Sequence, residues 1–262
     1  MSLTTRIRNL LALESSADAA SLDDVATTIR HGEIIRGKPF LRRIYQEHYA
    51  FFQQQAALAP AGIRLEIGSG AGFLKERMPD VVTSDVRPVP GVECVLSAME
   101  LPFPPESLGA IFMLNVLHHV PNAGLFFQEA SRCLKPGGRI ALVEPANTGW
   151  SRFVYGHFHH EPFRPEDREW RLDGGGPMSC ANDALPWMIF CRDRQVFEQK
   201  YPRLHIESIA YCHPFRYLLS GGVSMKQLVP TFTYPLIAGI EATLRPFNKQ
   251  LAMFMRIVVV KS

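Results

Sequence analysis

Cysteine is sparse in this sequence, and long apolar runs are missing. Five cysteines occur in 262 residues, an odd number, widely spaced and without a C-x-x-C pair, which favours reduced thiols over a disulfide framework. No apolar run reaches the roughly 18 residues of a membrane span. No apolar segment follows the arginines near the N-terminus, so we predict no secretory signal. These absences predict a cytoplasmic protein.

An excess of charge of either sign is also lacking. The 28 basic and 25 acidic residues leave a net charge of +3, which is too balanced to indicate a nucleic-acid partner. The hydrophobic content of 47% and the charged content of 20% are typical of a globular protein. The length allows one α/β domain with extra helices, or at most two small domains.

The most informative stretch is a glycine-rich turn that follows an apolar strand, predicted over residues 63–67. Glycines at alternate positions in Gly68–Gly72 let the backbone turn with φ > 0 and bring a ligand against bare peptide. A dinucleotide site would need its third glycine where Phe73 stands. The pattern is instead E-x-G-x-G-x-G, starting at Glu66, and we expect a helix after it whose free N–H groups point at the ligand.

From residue 63 the pattern alternates between strand, turn and helix, which predicts βαβ units and a parallel sheet. The predicted strands cover residues 63–67, 81–84, 92–96, 110–114, 139–143, 205–211 and 253–261. Residues 1–60 are predicted to form a helical N-terminal cap on a second region, 61–262.

An insertion, residues 145–200, interrupts the alternation and is rich in proline, glycine, histidine and aromatic residues. Long ordered insertions after a strand usually build the mouth of a binding site. The aromatic residues expected to line this mouth, and so to favour a partly apolar ligand, are Phe153, Tyr155, Phe158, Phe163 and Trp187.

Several signals follow one another in a fixed order along the chain. Glu66 ends the first strand and Asp85 the second, and an acid at the second position suits a ribose because a carboxylate accepts two hydrogen bonds. The segments L-P-F, L-H-H and L-K-P-G-G then follow at residues 101–103, 117–119 and 134–138. As a set, these residues resemble the UbiE-like (type 11) branch of class I S-adenosylmethionine (SAM)-dependent methyltransferases.

The resemblance covers residues 63–144 and implies a Rossmann-like, seven-stranded, mostly parallel sheet with an antiparallel last strand. It implies SAM as cofactor, with Glu66 holding the methionine amino group, Asp85 the ribose, and Val86 packing beside the adenine. Asn115 would border the methionine and the acceptor. The residues implied to bind SAM are Glu66, Gly68, Ser69, Gly70, Gly72, Asp85, Val86, Ser97, Ala98, Met99 and Asn115.

Ser97 is a departure from the pattern, since the family often has aspartate there to bind the adenine amino group. A serine accepts a hydrogen bond without charge, and the backbone of Ala98 and Met99 would assist it. This departure motivates one alternative, a SAM-binding partner subunit without catalysis. A second alternative is an NAD(P)-dependent oxidoreductase, against which the missing third glycine argues.

An oxygen acceptor needs a base, because its proton must leave when the methyl group arrives. His119, at the carboxyl edge of the sheet after the fourth strand, is the first candidate, and His118 is the alternate. Glu144 ends the fifth strand at the same edge and is predicted to orient or deprotonate the acceptor. Loop packing or capping is the alternative role for each of these residues.

A second histidine group lies in the insertion, at residues 157, 159 and 160, next to Glu161. Its spacing matches no established ligand pattern and no cysteine supports it, so we predict no metal site. Substrate binding and ordinary loop packing remain the two interpretations of these residues.

The sequence therefore predicts a SAM-dependent methyltransferase that acts on oxygen of a small-molecule, lipid or glycan-intermediate acceptor. No nucleic-acid partner and no membrane span are expected, although contact with a membrane surface is compatible with the sequence. Nothing in the sequence specifies an oligomeric state.

Overall fold

The computed structural model of this chain describes Leu11, Leu13, and residues 22–159 and 161–262. The rest of the predicted N-terminal cap before residue 22, and His160, lie outside the described residues. A seven-stranded sheet runs through the molecule. Its strands are β1 (Ile63–Ile67), β2 (Val81–Asp85), β3 (Cys94–Val95), β4 (Leu108–Leu114), β5 (Leu134–Pro145), β6 (Leu204–Cys212) and β7 (Phe254–Lys261).

The strand order is β3-β2-β1-β4-β5-β7-β6. β1 pairs in parallel with β2 and β4, and β4 pairs in parallel with β5. β7 runs antiparallel to both of its neighbours, β5 and β6. The predicted mostly parallel sheet with an antiparallel last strand is confirmed, and the chain reverses its direction of travel across the sheet between β1 and β4, where such sheets bind ligands.

Helices cover both faces of the sheet, which is why its central strands are apolar throughout rather than alternating. One face packs against Phe126 and Phe127, and the other face packs against Phe52. The α-helices of the described residues are α1 (Val25–Gly37), α2 (Pro39–Leu58), α3 (Ala123–Cys133), α4 (Gly149–Phe158), α5 (Leu185–Trp187), α6 (Arg194–Lys200), α7 (Arg216–Ser220), α8 (Tyr234–Thr243) and α9 (Asn248–Leu251).

The helix expected after the glycine-rich turn is only a 3-10 turn, Leu74–Glu76. Pro79 follows closely, and a proline disfavours helical backbone in the residue before it. The expectation that a helix N-terminus points at the ligand is therefore wrong. The amide of Phe73 donates instead to the hydroxyl oxygen of Tyr49, at 3.0 Å.

None of the helices within residues 22–159 and 161–262 is both long enough and apolar enough to cross a membrane.

Replacing Phe112 with alanine tests the packing at the centre of the sheet. Its ring is fully buried in β4 and lies 5.2 Å from the ring of Phe52, centroid to centroid. We expect F112A to lower the free energy of unfolding by about 3–5 kcal/mol through lost burial and the cavity left behind. Urea denaturation measures this loss. The matched control is F232A, at a ring that is 81% exposed, where a change within about 0.5 kcal/mol is expected; similar losses in both variants would contradict the assignment of Phe112 to the core.

Candidate functional site

A cavity of about 440 Å³ opens at the carboxyl edge of β1, β2 and β4. Every residue that the sequence predicted to bind SAM lines it, and so do His118 and His119. Glu144 is absent from its walls. The parallel strands explain this convergence, because the residues that follow their carboxyl ends meet at one edge of the sheet.

The glycines of the turn after β1 are required by close approach as well as by backbone conformation. Gly68 and Gly70 have φ values of 66° and 44°, which side-chain-bearing residues rarely adopt. A Cβ on Gly68 would lie 2.5 Å from a methyl carbon of Val116, and one on Gly72 would lie 2.8 Å from the Tyr49 hydroxyl. The turn therefore presents bare backbone to the cavity.

Glu66 brings a buried carboxyl group to the floor of the cavity. The residue is 3% exposed, and burial raises the pKa of its carboxyl group to about 7. Among the described residues no basic side chain forms an ion pair with it. A cationic ligand group would supply the missing counter-charge.

Asp85 is held by the segment that follows β2. Its Oδ1 accepts a hydrogen bond of 3.0 Å from the amide of Arg87, and its Oδ2 lies on the side of the glycine turn, 3.6 Å from where a Cβ on Gly70 would be. The Arg87 guanidinium donates to the Thr28 hydroxyl at 2.8 Å, which ties this segment to α1. One carboxylate oxygen thus positions the loop while the other faces the turn.

Ser97 and Val86 mark the far end of the cavity. The Ser97 hydroxyl oxygen accepts a hydrogen bond of 3.1 Å from the amide of Met99, so this side chain organises its own turn. Its hydroxyl hydrogen is still available as a donor. Val86 lines the cavity with 51% of its surface exposed, which suits packing against a flat apolar group.

Asn115 has an unusual backbone conformation, with φ of 55°, which asparagine tolerates better than most residues. Its amide donates to the Val143 carbonyl at 2.8 Å. Its side-chain oxygen is buried without a hydrogen-bond partner among the described residues, although the residue lines the cavity. A buried acceptor without a partner indicates a place for a ligand donor.

These groups fit SAM. SAM is an amino acid joined to a nucleoside. Within the part of the chain that the structure describes, the site offers it the bare backbone of the glycine turn, the acid Glu66 without an ion pair, the unpartnered side-chain oxygen of Asn115, and a second acid, Asp85, beside the turn. Glu66 and Asn115 can accept from the ammonium group, and Asp85 can accept from the ribose hydroxyls.

Glu144 sits behind the cavity wall, fully buried at the end of β5. Its Oε1 accepts from the amides of Val116 and Leu117, at 2.9 and 2.7 Å, and its Oε2 lies 2.6 Å from Nδ1 of His118. With both oxygens engaged, it can reach an acceptor only through His118. The expectation that Glu144 itself orients or deprotonates the acceptor is therefore corrected.

His118 is surrounded by carboxylates. Its Nε2 lies 3.3 Å from Oε2 of Glu161 and 3.6 Å from Oδ1 of Asp183. Burial opposes a charge on the ring, but Glu144, Glu161 and Asp183 together raise its pKa well above the ordinary histidine value. A ring that already carries both protons is a poor choice of base.

His119 differs from its neighbour in protonation. Its Nδ1 lies 3.1 Å from the carbonyl oxygen of Cys180, and a carbonyl can only accept, so Nδ1 carries the proton in the neutral ring and Nε2 keeps a lone pair. Burial and the nearby charge of His118 lower the pKa of His119 to about 4. The ring is therefore neutral at pH 7.

The insertion brings three further ionisable groups to the same cavity: His159, Glu161 and Asp183. Asp183 is 1% exposed, and its Oδ2 lies 3.3 Å from Nδ1 of His159. Sequence reasoning singled out the first two residues but missed Asp183. No signal in the sequence marks it, because it lies more than twenty residues further along the chain.

The insertion also closes the cavity from above, together with the segment before α1. Oδ1 of Asp23 accepts from the amides of Met178 and Ser179, at 2.7 and 3.0 Å, and its Oδ2 accepts from the Ser179 hydroxyl at 2.6 Å. From α1, Arg36 donates to the carbonyl oxygens of Ala71 and Gly72, each at 3.2 Å. Together these two segments form the roof of the cavity.

The predicted aromatic mouth is largely wrong. Tyr155 lines the cavity, whereas Phe163, which does not, stacks on its ring at 5.7 Å, and Phe153 stacks on Trp150 at 5.9 Å. Phe158 and Trp187 are also absent from the walls. The apolar side chains at this end come instead from other elements, namely Leu114, Val223, Tyr217 and Phe254.

Comparison with known proteins finds similarity over part of this chain. The family model described as "Methyltransferase domain" matches residues 65–142, from β1 to β5. The chain is 47% identical over 45 residues to 27-O-demethylrifamycin SV methyltransferase of Amycolatopsis mediterranei, over 17% of this chain and 16% of that protein. It is 34% identical over 71 residues to demethylmenaquinone methyltransferase of Tropheryma whipplei, over 27% of this chain and 30% of that protein. The matches thus span less than a third of either relative.

A solved structure shares the fold. Geranyl diphosphate C-methyltransferase from Streptomyces coelicolor A3(2), in complex with Mg²⁺, geranyl-S-thiolodiphosphate and S-adenosyl-L-homocysteine, aligns with a TM-score of 0.52. The identity is 15%, over 85% of this chain and 78% of that chain. Identity this low shows a common fold and nothing finer. The methyltransferase domain over residues 65–142 implies SAM as the cofactor.

Substituting Asp23 tests the roof. In D23A the amides of Met178 and Ser179 lose their acceptor, so we expect their hydrogen exchange to accelerate several-fold as the local structure opens more often. Amide exchange followed by mass spectrometry or NMR measures this change. The control is D24A, at a side chain that, within the part of the chain the structure describes, accepts a hydrogen bond of 2.9 Å from the amide of Ala26; equal acceleration in both variants would mean that Asp23 does not hold the insertion.

Proposed function

We propose that this chain, whose residues 65–142 match a methyltransferase domain, uses SAM to methylate an oxygen atom of a partly apolar small molecule or lipid. The observation that carries the proposal is the meeting of two sets of groups in one cavity. One set fits SAM, and the other offers a neutral imidazole beside apolar walls. The match to a methyltransferase domain favours this function over a nicotinamide-dependent oxidoreductase.

The residues at one end of the cavity are proposed to bind SAM because they complement its charge and its shape. Glu66 and the side-chain oxygen of Asn115 accept hydrogen bonds from the methionine ammonium group. Asp85 accepts from the ribose hydroxyls, and Val86 packs on the adenine, whose polar edge meets the turn of Ser97–Met99. The backbone of Gly68–Gly72 lies along the methionine part.

The acceptor end is proposed to bind a ligand with an apolar body. Tyr155, Tyr217, Phe254 and Leu114 provide apolar walls, and burying them against a hydrocarbon or aromatic ring releases water. The names of the two relatives point the same way, since one is a 27-O-demethylrifamycin SV methyltransferase and the other a demethylmenaquinone methyltransferase. Such walls favour a small molecule or lipid over a glycan. Contact with a membrane surface stays a prediction.

His119 is proposed as the base. SAM, when bound, supplies a methyl group on a sulfonium that is a good leaving group, so the protein has to align the acceptor, exclude water and take one proton. The lone pair on Nε2 of His119 accepts the proton of the acceptor hydroxyl. His118 and Glu144 act as positioning residues, because the carboxylate fixes both the His118 ring and the backbone turn that carries His119.

Methyl transfer from labelled SAM to a panel of acceptors tests this function. The panel comprises alkylphenols, hydroxynaphthoquinones and long-chain alcohols, with an oligosaccharide, a protein and an RNA as comparisons. Labelled methyl ethers are expected with one of the apolar classes. In H119N we expect kcat to fall about 100-fold or more, the usual loss for a general base, with unchanged affinity for S-adenosylhomocysteine. Methylation of protein or RNA alone would overturn the proposal, as would full activity in H119N.

The pH dependence of cofactor binding tests the role of Glu66. Its raised pKa, about 7, means that the carboxyl group of the free protein is protonated below pH 7. An ammonium ligand binds the ionised form, so binding at lower pH must first remove that proton. We expect the affinity for S-adenosylhomocysteine, measured by calorimetry, to fall roughly tenfold or more between pH 7.5 and 5.5.

Two variants separate Glu66 from general effects of pH. In E66Q the affinity at pH 7.5 should be lower and nearly independent of pH over this range. In D85N the binding free energy should weaken by about 1–3 kcal/mol, while the affinity should still depend on pH as in the wild type. An unchanged slope in E66Q would show that another group titrates.

A further inference from the structure

We propose that His159, Glu161 and Asp183 bind one divalent transition-metal ion at the acceptor end of the cavity. One ligand atom from each of these side chains lies within 4.8 Å of the other two. Ligands at metal distances of roughly 2.1 Å can lie up to about 4.2 Å apart, so small side-chain rotations are sufficient to close the site.

Asp183 is the first observation behind this site. It is 1% exposed, and neither of its carboxylate oxygens makes a hydrogen bond within the described residues. Ring nitrogens of His159 and His118 come no closer than 3.3 and 3.6 Å. A buried carboxylate without hydrogen bonds is costly unless a cation compensates it.

The balance of charge around Asp183 is the second observation. Glu144, Glu161 and Asp183 surround His118, and even a fully protonated His118 balances only one of these three carboxylates. A divalent ion bound to Glu161 and Asp183 would offset the negative charge that these two carboxylates bring to the site. Protonation of His159 and Asp183 is the other way to offset this negative charge. The two explanations are distinguished by whether the protein binds a metal ion.

Hydrogen bonds of the backbone fix the segments that carry the proposed metal ligands. The amide of Asp183 donates to the Pro162 carbonyl at 2.9 Å, and the amide of Asn182 donates to the His118 carbonyl at 3.0 Å. Asn182 also bridges to the amide and carbonyl of Arg164, at 2.9 and 3.0 Å. These bonds lock the two segments of the insertion that carry Glu161 and Asp183 against the loop after β4, as a preorganised site requires.

The donor set indicates the class of ion. One imidazole and two carboxylates suit Mn²⁺, Fe²⁺ or Zn²⁺ better than a soft monovalent ion. All three residues line the cavity, so the remaining coordination positions face the space where an acceptor would lie. An ion there would bind and polarise an acceptor oxygen close to His119. This role of the ion in polarising an acceptor rests on the proposed function, whereas metal binding itself does not.

Titration of the tag-free, chelator-treated protein with Mn²⁺ tests the site, with free Mn²⁺ followed by its EPR signal. We expect one saturable site in the wild-type chain. D183N and E161Q, which keep side-chain shape and remove charge, should weaken it about tenfold or more. The matched control is D85N, at a carboxylate of the same cavity, which should bind Mn²⁺ as the wild type does. Circular dichroism checks folding, and E161Q carries the comparison if D183N does not fold.

The outcomes separate this site from the proposed function. No saturable binding by the wild type, or equal binding by the wild type, D183N and E161Q, overturns the metal site. Calorimetry with S-adenosylhomocysteine is run on the same metal-free samples, and the two ligand variants should bind it within about twofold of the wild type. If the wild type binds Mn²⁺ but not S-adenosylhomocysteine, the methyltransferase proposal fails and the metal site stands.

Discussion

The carboxylate of Glu144 fixes the geometry on which both ends of the cavity depend. From the end of β5 it holds two amides of the loop after β4 and the ring of His118. Asn115 lies at the start of that loop and His119 at its end, so one buried group helps to set where these two cavity-lining residues stand relative to each other. For the proposed methyl transfer, a change at Glu144 would therefore disturb the alignment of acceptor and cofactor without contacting either of them, and alignment is most of what the protein supplies to that reaction.

The convergence of the proposed SAM-binding residues on one cavity could be predicted from the sequence, because their positions are encoded locally. A strand, a glycine turn and an acid after the next strand are short-range patterns, and a parallel sheet brings the ends of its strands together whatever the loops do. The error made there was also local, since Pro79 reduces the expected helix to Leu74–Glu76. The direction in which Glu144 points was beyond sequence reasoning, because it depends on the amides of a loop on the neighbouring strand.

The other end of the cavity could not be predicted, because it is assembled from segments far apart in the chain. Asp183 meets His159 and His118 only after the insertion has folded back onto the loop that follows β4. The aromatic residues mislead for a related reason: composition shows that Phe153 and Phe163 are present, but only packing decides which rings face a cavity and which stack behind it. A neutral His119 beside a charged His118 likewise follows from their partners rather than from the repeated residue.

The roof gives the cavity a property that neither of its two segments has alone. Asp23 joins the chain before α1 to a loop more than 150 residues away. Any opening that separates these segments breaks all three hydrogen bonds to one carboxylate together. Separation of the two segments at this point is therefore cooperative, because one carboxylate accepts these three hydrogen bonds and they are lost together.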